Sequence, residues 1–270
     1  MRVLNLNEHP SHLIAYLDCC PPFYYHDFNG TPTITSRSTS NNKDLFNLKV
    51  IPNDVAVDGK CGQAVDINKA DITIETRGNH PIRKLTLSLH IKLNHTNGLQ
   101  PIVSAVNYNT QLRLEIQEGR LVWMFYNLGS SRGFIIQSRE KIRHNRWTHI
   151  LTDYDSVSGI GRIFINGRVS NRESGSRVTF SRNWMLGLRF GKYFAGGLDY
   201  KMAGLMDELY FFDCVMTDEL IEMMATHCDE FVCGKVQKNV AGCCMDVENT
   251  LRRRCFGSMY IKNTKPTRNL

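Results

Sequence analysis

The stretch that decides the fold of this chain is Gly204-Leu205-Met206-Asp207-Glu208-Leu209-Tyr210-Phe211-Phe212-Asp213-Cys214-Val215-Met216. Two carboxylates are followed by aromatic and aliphatic residues, which is typical of a buried β-strand. The next residues are Thr217-Asp218-Glu219-Leu220-Ile221-Glu222-Met223-Met224. Thr217 is a suitable helix N-cap, and the acidic residues of the first turn favour the helix dipole. The sequence therefore predicts a buried closing strand, a turn and a short helix.

Upstream, hydrophobic residues recur with the period of strands. Residues Leu85 to Leu93 alternate Leu or Ile with polar residues, which predicts a half-buried sheet with one face in a core. Residues Arg113 to Phe125 indicate two strands around Glu118-Gly119, and Asn166-Gly167 suits a type I′ hairpin. With one convincing helix and frequent turn signals, the pattern predicts an antiparallel β-sandwich.

Two further segments, taken with the closing stretch, carry a family resemblance. Val57-Asp58-Gly59-Lys60-Cys61-Gly62-Gln63-Ala64-Val65-Asp66-Ile67 is similar to the opening strand of laminin-G-like domains, in the concanavalin-A-like lectin/glucanase superfamily. Arg146-Trp147-Thr148-His149-Ile150-Leu151-Thr152-Asp153-Tyr154, followed by Gly161-Arg162-Ile163-Phe164-Ile165-Asn166-Gly167-Arg168, resembles their central hairpin pair. The resemblance implies an all-β antiparallel jelly-roll sandwich, with one short helix after the last strand.

The resemblance also divides the chain into three parts. Residues 1–43 are predicted to be an N-terminal extension and linker, 44–227 the laminin-G-like sandwich, and 228–270 a cysteine-rich, basic C-terminal appendage. No apolar run of 18 residues occurs, so no membrane span is predicted. Residues Met1 to Pro10 lack the apolar core of a signal peptide. A fragment of a longer secreted protein, a removed signal and a protein that is not secreted all stay open.

Cysteine usage favours an oxidising compartment. Five of the nine cysteines fall between residues 228 and 255, in a segment poor in apolar residues, where disulfides would supply the constraint that burial cannot. Zinc is a weaker alternative, because no Cys-x-x-Cys pair occurs. A third interpretation of the cysteines is that they are unpaired thiols in an intracellular protein. The cysteines are Cys19, Cys20, Cys61, Cys214, Cys228, Cys233, Cys243, Cys244 and Cys255.

The resemblance points to one particular disulfide. In such domains the first and last strands lie side by side, and Cys61 and Cys214 fall on the matching segments. The resemblance therefore implies a Cys61–Cys214 bond, which needs Cα atoms within about 7 Å. The odd total leaves one cysteine unpaired or bonded to another chain. Two N-glycosylation sequons, Asn29-Gly30-Thr31 and Asn94-His95-Thr96, favour the same extracellular or ectodomain setting.

Positive charge is unevenly distributed. Between Thr110 and Ala195 there are 14 Lys or Arg against 6 Asp or Glu, and the tail after Asn249 carries six more cations and no acid. A basic face on a sandwich suits sulfated glycans or acidic proteins, because each cation releases counterions from a polyanion. Solubility alone is an equally good explanation. Nucleic acid is disfavoured, since no nucleic-acid module accompanies the charge. The candidate face is Arg132, Arg139, Lys141, Arg143, Arg168 and Arg172.

Calcium is the one cofactor that the resemblance suggests. Many relatives hold a Ca²⁺ near the sandwich rim with carboxylate and carbonyl oxygens. Asp207 occupies the matching position, with Asp66 and Asp199 as further candidate ligands. The alternative, which the sequence favours, is that Asp207 accepts hydrogen bonds from backbone amides and fixes a strand end.

Catalysis is not predicted. Sandwich glycoside hydrolases place two carboxylates on alternate positions of one strand, whereas Asp207 and Glu208 are adjacent and point to opposite faces unless a bulge intervenes. A divergent glycan-cleaving enzyme would need two inward carboxylates about 5 to 9 Å apart. The prediction is a non-enzymatic extracellular module for recognition or adhesion, binding glycans or proteins. The alternative is a structural or assembly segment of a larger secreted or membrane-anchored protein.

Overall fold

The structure, a computed structural model, describes residues 24–26, 46–49, 56–70, 72–76, 81–106, 110–127, 133–178, 180–181, 188–195 and 198–226. All of these fall within one compact unit, Pro22–Asp229. The second unit, 1–21 with 230–270, lies outside the described residues, as does the whole predicted appendage 228–270. The predicted boundaries at residues 43 and 227 stay predictions.

Strands dominate the described residues, and one helix, α1 (Asp218–Thr226), follows them. In chain order the strands are β1 (Tyr24–His26), β2 (Phe46–Lys49), β3 (Ala56–Asp58), β4 (Gln63–Asp66), β5 (Ile72–Thr76), β6 (Pro81–Ile82), β7 (Lys84–Leu93), β8 (Leu99–Val106), β9 (Thr110–Gln117), β10 (Arg120–Asn127), β11 (Gly133–Lys141), β12 (Thr148–Asp155), β13 (Ile160–Ile165), β14 (Arg168–Ser174), β15 (Phe180–Ser181), β16 (Leu188–Phe190), β17 (Lys192–Ala195), β18 (Leu198–Lys201) and β19 (Gly204–Phe212).

Two antiparallel sheets form the sandwich. The eight-stranded sheet has the order β14-β13-β12-β7-β19-β4-β3, with β1 also paired to β19, and the seven-stranded sheet has the order β11-β10-β9-β8-β16-β5-β2. The ladders β15-β6 and β17-β18 complete the described strands. This confirms the predicted all-β antiparallel sandwich with a short helix after its last strand.

The closing strand β19 lies at the centre of the eight-stranded sheet. It pairs with β4, where Leu205 is opposite Asp66, so the opening and closing segments are neighbours, as the resemblance implied. It also pairs with β1, where Tyr25 is opposite Tyr210. Residues 24–26 thus contribute a strand to the sheet, although they belong to the segment that was predicted to be an N-terminal extension.

Aromatic rings connect the two sheets across the core. Phe125 of β10 and Tyr154 of β12 have ring centroids 4.6 Å apart, and Phe134 of β11 stacks on Phe125 at 5.3 Å. The Tyr154 hydroxyl donates to the Ser176 carbonyl (2.6 Å) and accepts from the Val178 amide (2.8 Å), so its polar end is satisfied. Burial of these large rings is a main source of stability.

Strand β7 shows where the sequence-based expectation is wrong. Its Leu and Ile positions face the core and are fully buried, as predicted. The intervening Thr86, Ser88 and His90 are also buried, at 0%, 1% and 3% exposure, so the sheet is not half-buried here. The chain after β19 returns over this face: Thr86 donates its hydroxyl hydrogen to the Cys214 carbonyl, and α1 packs on β12 and β14.

Local signals at the turns and the helix are confirmed. Glu118-Gly119 and Asn166-Gly167 have positive φ at both residues (48° and 81°, 51° and 79°), which is the type I′ conformation. Thr217 caps α1, because its Oγ1 accepts from the Leu220 amide (3.4 Å). The apolar side of α1 is buried as Leu220, Ile221 and Met224.

Candidate functional site

A surface with several exposed basic residues forms where the two sheets meet. Strands β11 and β14 are the edge strands of their sheets and lie side by side. The Arg139 amide donates to Ser170 Oγ (3.0 Å), and the Asn171 side-chain amide donates to the Gln137 carbonyl (2.8 Å). Side chain to backbone bonds therefore close this side of the sandwich, and residues from both strands share one surface.

Five of the six predicted basic residues lie on or just after these two strands, and all five are exposed. We call them the basic edge: Arg139, Lys141, Arg143, Arg168 and Arg172. The sixth, Arg132, lies outside the described residues. Among the described residues, none of the five side chains belongs to an ion pair. Their charges are therefore directed to solvent.

Two carboxylates lie among these cations. Glu140 Oε2 accepts from the Ser170 hydroxyl (2.5 Å), and Glu173 accepts weakly from Asn171 (3.4 Å). The Glu140 bond joins β11 to β14, whereas the Glu173 bond lies within β14, and neither carboxylate forms a described ion pair with the arginines. Five cations against two carboxylates leave the edge with net positive charge.

The loop after β11 extends this charge, and the sequence reasoning named only part of it. Ile142 is buried and its amide donates to the Gly119 carbonyl (2.7 Å), so the chain is held against the β9–β10 turn. Arg143, His144 and Arg146 are all exposed around it. The signal for Arg146 was present in Lys141-Ile142-Arg143-His144-Asn145-Arg146, where one buried residue is surrounded by basic ones.

Arg162 of β13, by contrast, has a structural role. It forms a two-point contact with Asp153, donates to Asp218 Oδ1 (2.9 Å) and to the Met216 carbonyl (2.8 Å), and lies over the Phe164 ring at 4.8 Å. Burial alone would lower the pKa of Arg162, but hydrogen bonding and charge from Asp153 and Asp218 raise it above its ordinary value. Arg162 thus ties the start of α1 to the sheet.

Asp207, the leading calcium candidate, is fully buried and engaged by backbone amides. Its Oδ2 accepts from Lys60 (2.8 Å) and Cys61 (2.9 Å), and its Oδ1 accepts from Glu208 (2.8 Å). Three amide donors already stabilise the charged carboxylate. The geometry therefore fits the strand-anchoring role that the sequence favoured, and a role for Asp207 in calcium binding stays a prediction.

The structure describes the other two calcium candidates to different extents. Asp66 Oδ1 accepts from the backbone and side-chain amides of Asn68 (3.0 and 2.8 Å), which is an Asx turn. For Asp199 the structure describes the backbone, which pairs with Phe194. Within the part of the chain that the structure describes, no group of three or more His, Cys, Asp or Glu side chains is arranged to hold a metal. Calcium binding stays a prediction, and its test is a rise in Tm at millimolar Ca²⁺.

Cys61 and Cys214 are both disulfide-bonded, but their pairing with each other stays a prediction. The Cys61 amide contacts Asp207, whereas Cys214 follows the end of β19. The strand from Asp207 to Phe212 spans roughly 16 Å at about 3.3 Å per residue. A bond between the two sulfurs would require the chain after Phe212 to fold back along β19. The remaining seven cysteines lie outside the described residues.

The adjacent carboxylates Asp207 and Glu208 do sit at a bulge. The β19–β7 register shifts between Asp207 and Tyr210, and Glu208 has φ 50°. The β-bulge that would be needed for adjacent carboxylates to face the same side of a strand is therefore present. Glu208 is buried, and its Oε2 accepts from the Tyr210 hydroxyl (2.6 Å). Both carboxylates thus have internal partners within β19 and the β3–β4 loop.

A pair of buried histidines lies beneath α1. His90 and His149 are opposite each other in the sheet, with ring centroids 4.9 Å apart. Ser88 Oγ is 2.8 Å from His149 Nε2, whereas His149 Nδ1 has no hydrogen bond and the His90 ring has only a weak contact with the Ala225 backbone, outside hydrogen-bond geometry. Burial lowers the pKa of His90 to about 4, with the Ala225 backbone opposing and Lys60 adding to the shift. Burial and the charge of His90 hold the pKa of His149 well below its ordinary value.

One polar row was not anticipated. On the outer face of the seven-stranded sheet, Glu115 is 1% exposed and accepts from Gln117 Nε2 (2.5 Å). Arg113 pairs with Glu115: its Nη2 donates to Glu115 Oε1 (3.5 Å), and its Nε lies 3.4 Å from Glu115 Oε2. The Arg113 guanidinium also lies 4.4 Å from the Tyr193 ring centroid. In the sequence these alternate positions of β9 look solvent-facing, because their burial depends on other segments of the chain that pack against them.

No described helix is long and apolar enough to cross a membrane.

Solved structures share this architecture. The binding domain of botulinum neurotoxin serotype G aligns with a TM-score of 0.59 at 12% identity, over 76% of this chain and 50% of that one. Domain 4 of AbnA, an extracellular arabinanase of Geobacillus stearothermophilus solved with arabinotriose, aligns with a TM-score of 0.56 at 16% identity, over 76% and 98%. At these identities the likeness shows the fold alone. The chain spans about half the length of the toxin domain.

Sequence comparison places the domain in a family. No curated protein matches the chain significantly. A family model described as concanavalin A-like lectin/glucanases superfamily, of the laminin G type, matches residues 66–222. That match covers more than half of the chain, from the end of β4 through the central hairpins to the first half of α1. The chain therefore belongs to the concanavalin A-like lectin/glucanase superfamily.

Proposed function

We propose that this domain is a non-catalytic extracellular recognition module that binds anionic glycans, sulfated ones above all, through the basic edge. The observation that carries the proposal is the meeting of β11 and β14, which gathers five exposed cations on one surface. The sandwich holds their backbones rigidly, so a polyanion would meet a preformed row of charge.

The energetics favour a polyanion over a neutral sugar at this surface. Each Lys or Arg near an anionic surface contributes about 1 kcal/mol, and binding releases counterions, so affinity falls steeply with salt. The solved arabinanase domain bound to arabinotriose supports a glycan ligand for this fold. The bonded state of Cys61 and Cys214 supports an extracellular setting.

The test is heparin binding by the full chain and by two double variants. Arg168→Ala with Arg172→Ala removes two cations of the basic edge from β14. Arg83→Ala with Lys84→Ala removes two exposed cations from the start of β7, three strands away in the same sheet. We expect the first variant to bind about 30-fold more weakly, since about 2 kcal/mol is lost, and the second to match the parent.

The basic tail needs its own control. Arg252→Ala, Arg253→Ala and Arg254→Ala together test whether residues beyond the sandwich account for retention. Equal retention of all sandwich variants, with loss only in the tail variant, would overturn the proposal. An acidic protein partner at the same edge would give the same mutational pattern with that protein and none with heparin. Disulfide-linked oligomers on non-reducing gels, without glycan binding, would favour the assembly role.

A further inference from the structure

The sequon Asn94-His95-Thr96 occupies an exposed loop that neither the fold nor the basic edge explains. Residues 94–98, which we call the sequon loop, connect β7 to β8. Asn94 and His95 are exposed, and Gly98 has φ +69° with open space around it. The loop therefore presents the Asn94 side chain to solvent.

The backbone of the sequon loop is nevertheless fixed. The Asn94 amide donates to the Ala203 carbonyl (2.9 Å), and the Glu118 amide donates to the Gly98 carbonyl (3.3 Å). The buried Gln100 side chain donates to the His95 carbonyl (2.7 Å) and accepts from the Ala203 amide (3.0 Å). These bonds hold both ends of the loop while using no side-chain atom of Asn94.

The loop also lies beside the basic edge. A Cβ at Gly119 would be 3.6 Å from Thr96 Cβ and 3.4 Å from Lys141 Cδ, so Thr96 and Lys141 both lie next to this glycine. The Asn145 amide donates to the Leu93 carbonyl (2.7 Å), which joins the base of the sequon loop to the loop carrying Arg143. Anything bulky on Asn94 would stand at this end of the basic edge.

We propose that Asn94 carries an N-linked glycan, and that this glycan screens the Lys141 and Arg143 end of the basic edge from polyanions. In the transfer, the Asn94 amide nitrogen attacks the anomeric carbon of a lipid-diphosphate-linked oligosaccharide. The new bond is C–N, the C–O bond to the diphosphate breaks, the lipid diphosphate leaves and one amide proton is released. The screening part rests on the proposed function, whereas the modification does not.

The site is tested by mass in a background that contains one sequon. The full chain, expressed behind a secretory leader in glycosylating cells, carries Asn29→Gln so that only Asn94 can be modified. We expect one glycan, lost in Asn94→Gln and Thr96→Ala and retained in Thr96→Ser, which preserves the hydroxyl. An unmodified Asn94 in the Asn29→Gln protein would overturn the site.

The screening is tested on heparin with the same proteins. Asn94→Gln and Thr96→Ala should elute at higher salt than the parent, and Thr96→Ser should elute with the parent. A modified Asn94 with unchanged elution in all four would overturn the screening. Absence of retention in every protein would overturn the proposed function and the screening with it, and the mass result would still decide the modification.

Discussion

Gly59 lies directly against the carboxylate of Asp207, and a Cβ at position 59 would come within 2.6 Å of Asp207 Oδ2. The same oxygen accepts from the Lys60 and Cys61 amides, so the turn between β3 and β4 is wrapped around one buried carboxylate of β19. A glycine at 59 is what allows the turn to approach so closely. The contact joins the opening and closing segments of the sandwich.

Asp207→Asn should lower the free energy of unfolding by about 2–3 kcal/mol, because an amide side chain cannot satisfy three buried donors as the carboxylate does. Urea unfolding with tryptophan fluorescence measures the change. Asp66→Asn is the matched control: its Asx turn is partly exposed, and we expect a loss below about 1 kcal/mol. Equal losses in the two variants would contradict an anchoring role for Asp207.

Stability should fall in mild acid because of the buried histidines. The pKa of folded His90 is about 4 and its ordinary value is 6.5, so between these values the unfolded chain binds a proton that the folded chain excludes. Stability is therefore full above about pH 6.5 and falls towards pH 4, by about 3 kcal/mol from His90 alone. His149, whose pKa is also lowered, acts in the same direction.

Urea unfolding at pH 7.5, 6 and 5 measures this dependence. Replacing His149 by Gln removes one of the two titrating rings and should flatten the curve, even if the variant is less stable at pH 7.5. His144→Gln is the control, since His144 is exposed on the loop after β11. An equally steep curve for the His149 variant and the parent would show that other groups cause the acid sensitivity.

Arg162 should matter far more for α1 than its partner Asp218. Arg162→Met leaves Asp153, which is 2% exposed, without its cation, and such a loss costs about 3–5 kcal/mol. Asp218 is 70% exposed, so solvent screens its contact and Asp218→Asn should cost below about 1 kcal/mol. Thermal unfolding followed by circular dichroism gives both values. Similar Tm shifts in the two variants would contradict the buried Arg162–Asp153 pair as the main tie.

The sequence alone predicted those structural features that depend only on residues close together along the chain. The Thr217 cap and the Asn166-Gly167 turn follow from local conformational preference and are present as predicted. The closing strand followed from its run of apolar residues. These features need no knowledge of the rest of the fold.

Distant contacts could not be predicted in the same way. Two of the three amides that engage Asp207 are 146 and 147 residues away, so its role stayed open between two alternatives. The polar face of β7 looked solvent-facing because nothing local reports that the chain after β19 returns over it. The basic edge likewise depends on which edge strands meet, and Arg139 and Arg172 share a surface only because β11 and β14 do.

Gly167→Ala should separate the cost of a positive φ from the cost of a close contact. Gly167 has φ +79°, and a Cβ there would come within 2.9 Å of the Glu222 Cα in α1. Gly98→Ala is the matched control, since Gly98 has φ +69° with nothing within 4 Å. The control should lose about 1 kcal/mol from backbone strain alone. Gly167→Ala should lose more, because helix backbone must move. Equal losses in urea unfolding would show that α1 is not pressed against the β13–β14 turn.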